Sequence, residues 1–301
     1  MKKMRLPLLI ALGIFAIGLI IGSFLDLQIS QAIASPTNVF GLIMAGLTPT
    51  VSFLAIGLAF GGFIALGLQK QRPAWGRALL IAGGIVGYGS MLVFTGGEYF
   101  GPNGFDMKEL VWVGYIIAAV ILAGGMYLGY RMFRNVTSPY AWVLLAIFLA
   151  AFFISVGSNS LILKAIFHRP RYRVLVGYPD IPFHPWWKPC ADYQEWMNQF
   201  NVVSEEFKSF PSGHTTDACS FLVATTFLPL ILPKARKYQM SCFVLSIAWV
   251  IFVAFTRIRV AAHFLSDVCF AATFTTLLAF LANEVVMRLK LFEPYREEDV
   301  H

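Results

Sequence analysis

The chain has 301 residues, of which 58% are hydrophobic and 13% are charged, whereas soluble domains carry roughly 25% charged residues. This composition nearly excludes a water-soluble globular protein, and 15% aromatic residues exclude intrinsic disorder, because a solvated chain does not expose so much apolar surface. The formal net charge of +7 is compatible with nucleic acid, anionic lipid or an anionic substrate as partner. The positions of the basic residues decide between these classes.

Eight apolar runs are long enough to cross a hydrocarbon core of about 30 Å, which predicts an all-α fold, a polytopic transmembrane helical bundle of about eight spans. The runs are Leu6–Leu25, Phe40–Leu68, Ala78–Gly96, Val111–Tyr130, Ala141–Leu163, Pro211–Leu232, Met240–Phe255 and Asp267–Met287. Pro49 interrupts the second run and predicts a kink or a later start there. We divide the chain into residues 1–140, with four spans, and residues 141–301, which include one long loop, 172–210.

The first run follows Met1–Arg5 as the apolar region of a signal peptide would. The small-residue triplet Ala32–Ala34 lies too far beyond that run for cleavage, which favours an uncleaved helix. The four cysteines, Cys190, Cys219, Cys242 and Cys269, show no C-x-x-C spacing. We therefore expect neither a disulfide framework nor a metal site.

The basic residues favour one side of the bundle. They precede the first run or follow the second, fourth, sixth and eighth: Lys2, Lys3, Arg5, Lys70, Arg72, Arg77, Arg131, Arg134, Lys234, Arg236, Lys237, Arg288, Lys290 and Arg296. The second loop on the other side carries Glu98, Asp106 and Glu109 against Lys108. Because lysine and arginine concentrate on the cytoplasmic side, both termini are predicted to be cytoplasmic.

Cations after the fifth and seventh runs break this pattern, and a broken local rule points to function. Lys164 and Arg171 lie seven positions apart at a predicted helix end, where two cations can converge on a phosphate. Alternatively, they are headgroup contacts of snorkelling side chains. Two further cations nearby, Arg169 and Arg259, are interpreted as surface contacts with lipid headgroups or as anion steering.

The sixth run begins with Pro211, Ser212, Gly213 and His214. A proline, a hydroxyl, a small residue and unpaired N–H groups at a helix start form an anion cradle, although Ser212 is also a common capping residue. Asp217 either orients His214 or pairs with another helix.

A histidine and a carboxylate lie four positions apart at the start of the last run. If one helix contains both, Asp267 can hold an N–H of His263 and leave the other ring nitrogen as a nucleophile. Arg257 precedes them. A structural pair and a fragment of a metal site are the alternatives.

The predicted orientation places all three segments on one outer face. Together they resemble the signature motifs of the type-2 phosphatidic-acid phosphatase superfamily of membrane lipid phosphatases. Those motifs are K-x6-R-P, P-S-G-H and S-R-x5-H-x3-D. The matching residues are Lys164 and Arg171, then Pro211, Ser212, Gly213 and His214, then Arg257, His263 and Asp267. Tyr172 replaces the usual final proline, and Thr256 replaces the serine. The resemblance covers roughly the last 140 residues, and five spans precede the first motif where the family commonly has three.

The resemblance implies phosphoryl transfer through a phosphohistidine, without metal or cofactor. His263 would attack phosphorus, Asp267 would orient it, and His214 would protonate the leaving oxygen and then activate water. The phosphate-binding residues would be Lys164, Arg171, Ser212, Gly213 and Arg257. Residues 141–301 would be the catalytic core.

The expected partner is a lipid phosphate among membrane lipids: phosphatidic acid, phosphatidylglycerophosphate, or a prenyl phosphate or diphosphate. No nucleic acid is expected, the oligomeric state stays open, and a bacterial plasma membrane with the site outside is the expected location. A phosphatase for a small soluble phosphoester and a transporter or flippase of anionic lipids are the alternatives. A vanadium haloperoxidase shares the motifs but does not fit a lipid-embedded chain.

Some features carry no assigned chemistry. The aromatic outer loop, with Trp186, Trp187 and Trp196, is either an interfacial belt or a lid over the phosphate pocket. Acidic residues in that loop are read as solvated charge: Asp180, Asp192, Glu195, Glu205 and Glu206. The polar streak Ser155–Ser160 predicts hydrogen bonds between helices, and paired glycines at 61–62, 83–84 and 124–125 predict close helix packing.

Overall fold

A computed structural model describes residues 2–97, 100 and 107–292, and the regular secondary structure of these residues is helical. The α-helices are α1 Lys2–Ile33, α2 Val39–Gly67, α3 Ala74–Thr95, α4 Val111–Phe133, α5 Ala141–Val156, α6 Lys164–Phe167, α7 Tyr172–Gly177, α8 Tyr193–Phe200, α9 Gly213–Ile231, α10 Pro233–Arg236, α11 Gln239–Arg259 and α12 Leu265–Arg288. Short 3₁₀ turns cover Lys108–Leu110, Ser204–Phe207 and Lys290–Phe292. Each predicted span falls on a long helix. Glu98, Asp106 and Arg296 lie outside the described residues.

Within the described residues, seven helices are long and apolar enough to cross a membrane. The remaining predicted span, the sixth (Pro211–Leu232), corresponds to α9, which begins with the polar residues His214, Thr215, Thr216 and Asp217. Large apolar side chains point outward along the bundle, for example Phe24 at 76% and Phe94 at 72% exposure. An apolar surface of this extent needs lipid around it, so the chain is a polytopic integral membrane protein, as the composition predicts.

Helix α9 lies at the centre of the bundle and packs against α2, α5, α11 and α12. Helix α1 lies along α12, while α3 and α4 pack chiefly on α2 and on each other. The N-terminal helices are therefore of two kinds. Helices α1 and α2 contact the helices that carry the motifs, whereas α3 and α4 form an outer pair.

The motifs meet at one end of the bundle, called the site end here, where α5, α6 and α11 finish and α9 and α12 begin. The connection between α1 and α2 is joined to this end, because Ser35 N–H donates to the Arg259 carbonyl at 2.6 Å and the Arg259 guanidinium donates to the Ile33 carbonyl. Arg259 is thus engaged with the protein backbone.

Helix α5 is wound more loosely just before the first motif. Residues Gly157–Leu163 form a π-helical segment, in which the Lys164 N–H donates to the Asn159 carbonyl five residues earlier. Such segments are frequent at functional sites because they rotate the side chains that follow them. The segment sets the direction from which Lys164 leaves the helix.

Glycines bring α2 and α4 into backbone contact, as predicted for two of the glycine pairs. A Cβ atom added to Gly57 would lie 2.9 Å from the Leu122 carbonyl oxygen, and one added to Gly61 would overlap the Met126 carbonyl oxygen. On Gly124 a Cβ would meet nothing within 4 Å. On Gly125 it would lie 2.9 Å from the Leu54 carbonyl oxygen, so in the pair 124–125 one glycine packs between helices while the other does not.

This difference predicts opposite effects of the same substitution. Gly61→Ala should lower the free energy of unfolding by about 1–3 kcal/mol, because the methyl group pushes α4 away from α2. Gly124→Ala should leave stability unchanged or raise it by about 0.5–1 kcal/mol, through its better helix propensity. Thermal unfolding of both variants in the same detergent measures the difference, and equal melting temperatures would contradict the packing described here.

Candidate active site

A cavity of about 390 Å³ opens at the site end. It is lined by five of the residues predicted for the site: Lys164, Arg171, Gly213, His214 and His263. The three others, Ser212, Arg257 and Asp267, are fully buried and lie behind this lining. The structure therefore brings both histidines and two cations to one space, although they are far apart in the sequence.

His263 lies in the short connection between α11 and α12, immediately before the Phe264 N-cap of α12. Its Nδ1 atom is 2.6 Å from the Ser209 carbonyl oxygen. A carbonyl oxygen only accepts hydrogen bonds, so Nδ1 carries the proton and Nε2 keeps its lone pair when the ring is neutral. The neutral imidazole thus keeps an unprotonated nitrogen and lies beside the cavity.

Asp267 acts on this imidazole from its third position in α12, not from a helix shared with His263. Its Oδ2 atom is 3.8 Å from His263 Nδ1, beyond hydrogen-bond distance. The same oxygen accepts from the Ser209 hydroxyl at 2.6 Å and from the Phe264 N–H at 2.8 Å. The carboxylate therefore fixes the loop that holds His263 and places a negative charge beside the ring.

Burial lowers the pKa of the His263 imidazole to about 3. The Asp267 carboxylate opposes this effect, whereas the positive charges of Arg171 and Arg257 add to it. The imidazole is consequently neutral near pH 7, which is the state that a nitrogen nucleophile requires.

His214 stands in the first turn of α9 on the cavity wall. Its Nε2 atom is 3.0 Å from the carbonyl oxygen of Ala45 in α2. The same acceptor argument places a proton on Nε2 and leaves Nδ1 to exchange protons. Both histidines are therefore oriented by backbone carbonyls, and the one that orients His214 comes from outside the three motifs.

Lys164 approaches the start of α9 closely. Its Nζ atom would lie 3.6 Å from a Cβ atom on Gly213, so the absence of a side chain at position 213 leaves room for the ammonium group and for an anion. The neighbouring Asn159 ties the two helices together, because its Nδ2 donates to Thr216 Oγ1 at 2.7 Å. Ser155 and Thr275 join their hydroxyls at 2.5 Å, which supports the interhelical role predicted for this polar streak.

Arg171 also lines the cavity and is 1% exposed. Its guanidinium donates to the Glu205 carboxylate at 2.8 Å and to the Glu205 carbonyl at 3.1 Å, and Lys208 pairs with the same carboxylate at 3.1 Å. Tyr172, which replaces the usual proline, is the first residue of α7, a position that favours proline but does not require it.

Ser212 and Arg257 support the lining from behind. Ser212 is the N-cap of α9, and its Oγ accepts from the Thr215 hydroxyl at 3.0 Å, so the capping alternative describes its side chain. The backbone carbonyl of Arg257 accepts from the N–H groups of Ala262 and His263. The Arg257 guanidinium lies close enough to both imidazoles to act on them electrostatically.

Arg169 is not a surface residue, which corrects the prediction of a headgroup contact. It is 0% exposed, and its guanidinium donates to Asp267 at 2.5 Å and to Asp26 of α1 at 2.9 Å. The charge is buried because two carboxylates neutralise it. Asp26 also accepts from the Ser266 N–H at 2.8 Å, which attaches α1 to the start of α12.

Three participants were not found from the sequence: Asp26, Ser209 and Ala45. Asp26 had a signal, because it is the one acidic residue in α1 and a carboxylate inside a membrane helix usually has a function. Ser209 and Ala45 act through backbone carbonyls, which every residue type possesses, so no sequence signal marks them.

The rest of the cavity is apolar. It is lined there by side chains from α2, α3, α5 and the π-helical segment: Phe53, Met91, Phe94, Phe152, Phe153, Val156 and Leu161. Leu161 and Phe94 are 70% and 72% exposed, so the apolar part opens sideways from the bundle. One cavity therefore combines an anion-binding end with a surface suited to a hydrocarbon chain.

The tryptophans of the long loop lie away from this lining, which does not favour the lid hypothesis. Trp186 donates its Nε1–H to Ser23 Oγ of α1 at 2.8 Å and packs against Phe210 and Phe270. Trp196 packs on a small core of the loop itself. The loop contributes Glu205 and Lys208 to the cavity.

No group of three or more potential metal ligands occurs among the described residues. Two acidic residues of the long loop pair with arginines: Glu205 with Arg171 and Glu206 with Arg173. Cys190, Cys219, Cys242 and Cys269 are free.

Comparisons with known proteins give a consistent result. The family model described as PAP2 superfamily matches residues 139–290, about half of the chain. Phosphatidylglycerophosphatase B of Bacillus subtilis (strain 168) is 29% identical over 105 residues, which cover 33% of this chain and 52% of that protein. This chain thus spans about half the length of that curated relative, and no solved structure gave a significant match.

The buried Arg169 predicts a stability effect. Arg169→Gln should cost about 3–5 kcal/mol, because it leaves two buried carboxylates without their cation. Adding Asp26→Asn should restore part of that loss by removing one of the two charges. Arg131→Gln, at an exposed arginine, is the matched control and should change stability by less than about 1 kcal/mol. Melting temperatures in detergent test this, and an Arg169→Gln variant as stable as the control would show that the ion pairs are not stabilising.

Proposed function

This chain belongs to the PAP2 superfamily, and on that premise we propose that it is an integral membrane phosphatase that hydrolyses a lipid phosphate through a phosphohistidine. The observation that carries the proposal is the shared cavity, in which two oriented imidazoles and two cations meet an apolar groove. A transporter or flippase of anionic lipids would need the cations but not two histidines of fixed tautomer.

In the first step, the lone pair of His263 Nε2 attacks phosphorus. The bond between phosphorus and the lipid oxygen breaks, and its electron pair leaves with that oxygen. His214, protonated at Nδ1 as well as Nε2, donates the Nδ1 proton to the leaving oxygen. The alcohol departs, and His263 carries the phosphoryl group and becomes cationic, a charge that the nearby Asp267 stabilises.

In the second step, neutral His214 takes a proton from water at Nδ1. The resulting hydroxide attacks phosphorus, the bond to His263 Nε2 breaks, and the electron pair returns to the ring. Inorganic phosphate leaves with both histidines back in their starting states. One residue thus serves as acid and then as base.

Lys164, Arg171 and Arg257, together with Ser212 and the Gly213 N–H, are assigned to phosphate binding. Lys164 and Arg171 both line the cavity, which suits them to neutralise charge on the equatorial oxygens during transfer. Arg257 lies behind the histidines and contributes its field, while Ser212 maintains the helix start that presents the Gly213 N–H.

The substrate is assigned to the lipids because the apolar part of the cavity opens sideways. A phosphate with a hydrocarbon chain fits both ends of this space, whereas a small soluble phosphoester would leave the groove empty. The named relative makes phosphatidylglycerophosphate the first substrate to test, with phosphatidic acid and a prenyl diphosphate beside it.

The alternation of basic loops supports cytoplasmic termini and a site on the outer side of a bacterial plasma membrane. The site end follows the odd-numbered spans and precedes the even-numbered ones, which fits that orientation. We assign catalysis to residues 141–301, with α1 and α2 as supports.

Substituting the histidines separates the two steps. His263→Ala should release no phosphate, because the nucleophile is lost. His214→Ala should slow both steps by about 10²–10⁴-fold, and with an activated substrate such as para-nitrophenyl phosphate it should accumulate an acid-labile phosphoenzyme. Phosphate release and ³²P retention on purified, folded variants in detergent measure this. Full phosphate release by either variant would refute the assignment, and bound lipid phosphate without turnover by the native protein would favour transport.

Filling the groove tests the lipid assignment. A Cβ atom at Gly157, on the cavity wall, would meet nothing within 4 Å, so Gly157→Leu should place its side chain in the groove. KM should rise by roughly tenfold for a long-chain phosphate, the scale of about 1.4 kcal/mol of lost apolar contact, and change little for a short-chain one. Gly124→Leu, outside the cavity, is the control. Equal changes for both chain lengths would contradict chain binding in the groove.

A further inference from the structure

A single backbone carbonyl in α2 connects an N-terminal helix to His214. In an α-helix each carbonyl accepts a hydrogen bond from the N–H four residues later. For Ala45 that residue is Pro49, which has no N–H. The Ala45 carbonyl is therefore unable to make its usual helical bond, and it accepts instead from His214 Nε2 at 3.0 Å.

The surroundings of this contact exclude water. Ala45 is 0% exposed, His214 is 6% exposed, and Pro49 is buried within α2. A hydrogen bond between buried groups is costly to leave unmade, so the freed carbonyl and the ring nitrogen stabilise one another. Helix α2 continues on both sides of Pro49 over Val39–Gly67, so the proline removes this bond without ending the helix.

The neighbouring hydroxyls close their own bonds inside α2. Thr50 Oγ1 donates to the Gly46 carbonyl at 3.1 Å, and Ser52 Oγ donates to the Thr48 carbonyl at 2.8 Å. These contacts leave the Ala45 carbonyl to α9. Pro49 interrupts the apolar run of the second span. The contact between the Ala45 carbonyl and His214 provides a functional reason for a proline at this position.

We propose that Pro49 is a positioning residue of the active site: by lacking an N–H, it reserves the Ala45 carbonyl for His214 and so fixes which ring nitrogen exchanges protons. This inference rests on the proposed function, in which His214 protonates the leaving oxygen. Pro49 touches neither substrate nor reacting atoms, and it acts through the carbonyl of Ala45.

Restoring the N–H tests the inference. In Pro49→Ala and Pro49→Gly the new N–H shares the Ala45 carbonyl and draws it back along the helix axis. The bond to His214 Nε2 should then weaken, and the ring should lose its fixed orientation. Both variants should lower kcat/KM for octyl phosphate by about tenfold, part of the 10²–10⁴-fold that a general acid contributes. For para-nitrophenyl phosphate, whose leaving group needs no proton, kcat/KM should change by less than about twofold.

The two variants share the restored N–H and the loss of the ring but differ in side chain and flexibility, so an equal loss in both excludes side-chain size and flexibility as the cause. Pro7→Ala, at another proline inside a spanning helix, is the matched control and should leave both substrates unaffected. Melting temperatures should show that all three variants fold, and failure of both Pro49 variants to fold would assign Pro49 a structural role and overturn the inference.

The leaving-group comparison also separates this inference from the proposed function. His214→Ala should show the same selective loss with octyl phosphate, to a larger extent. If His214→Ala loses both substrates equally, His214 is not the acid and the proposed function fails. If His214→Ala is selective while the Pro49 variants keep wild-type kcat/KM, or lose both substrates equally, only the role of Pro49 is overturned.

Discussion

The rest of the site depends on one interaction, the ion pairs of the Arg169 guanidinium with Asp267 and Asp26. All three side chains are at most 3% exposed, and a carboxylate is expensive to bury unless it is paired and hydrogen-bonded. With the guanidinium in place, Asp267 can remain ionised at the buried start of α12. From there it holds the Ser209 hydroxyl and the Phe264 N–H, which position the segment around His263.

Backbone carbonyls then determine the chemistry that each imidazole can perform. Ser209 binds His263 through Nδ1, and Ala45 binds His214 through Nε2. The two rings are thereby held through opposite nitrogens, so one presents Nε2 and the other Nδ1 for reaction. The two acceptors come from different backbone settings: Ser209 precedes a helix, whereas Ala45 lies inside one, four residues before a proline that has no N–H.

The outer helix pair, α3 and α4, contributes to the site through apolar side chains and through packing on α2. Met91 and Phe94 of α3 line the apolar part of the cavity, while α4 holds α2 through close backbone contact at glycines. Of this outer pair, α3 thus contacts the region assigned to the hydrocarbon chain. The anion-binding end is built from α5 onward, with α1 and α2 supporting it from behind.

The sequence alone determined the helical class, the approximate spans, the family and five of the residues that line the cavity, because these features follow from the length of apolar runs and the spacing of local motifs. It did not determine that Arg169 is buried, since its partner Asp26 lies 143 residues away and a cation in isolation reads as a surface charge. Nor did it reveal the acceptor of His214, a carbonyl 169 residues distant. Only the tertiary structure decided these contacts, because the cost of burying a charge and the direction of a backbone carbonyl are set by the packing of helices remote in sequence.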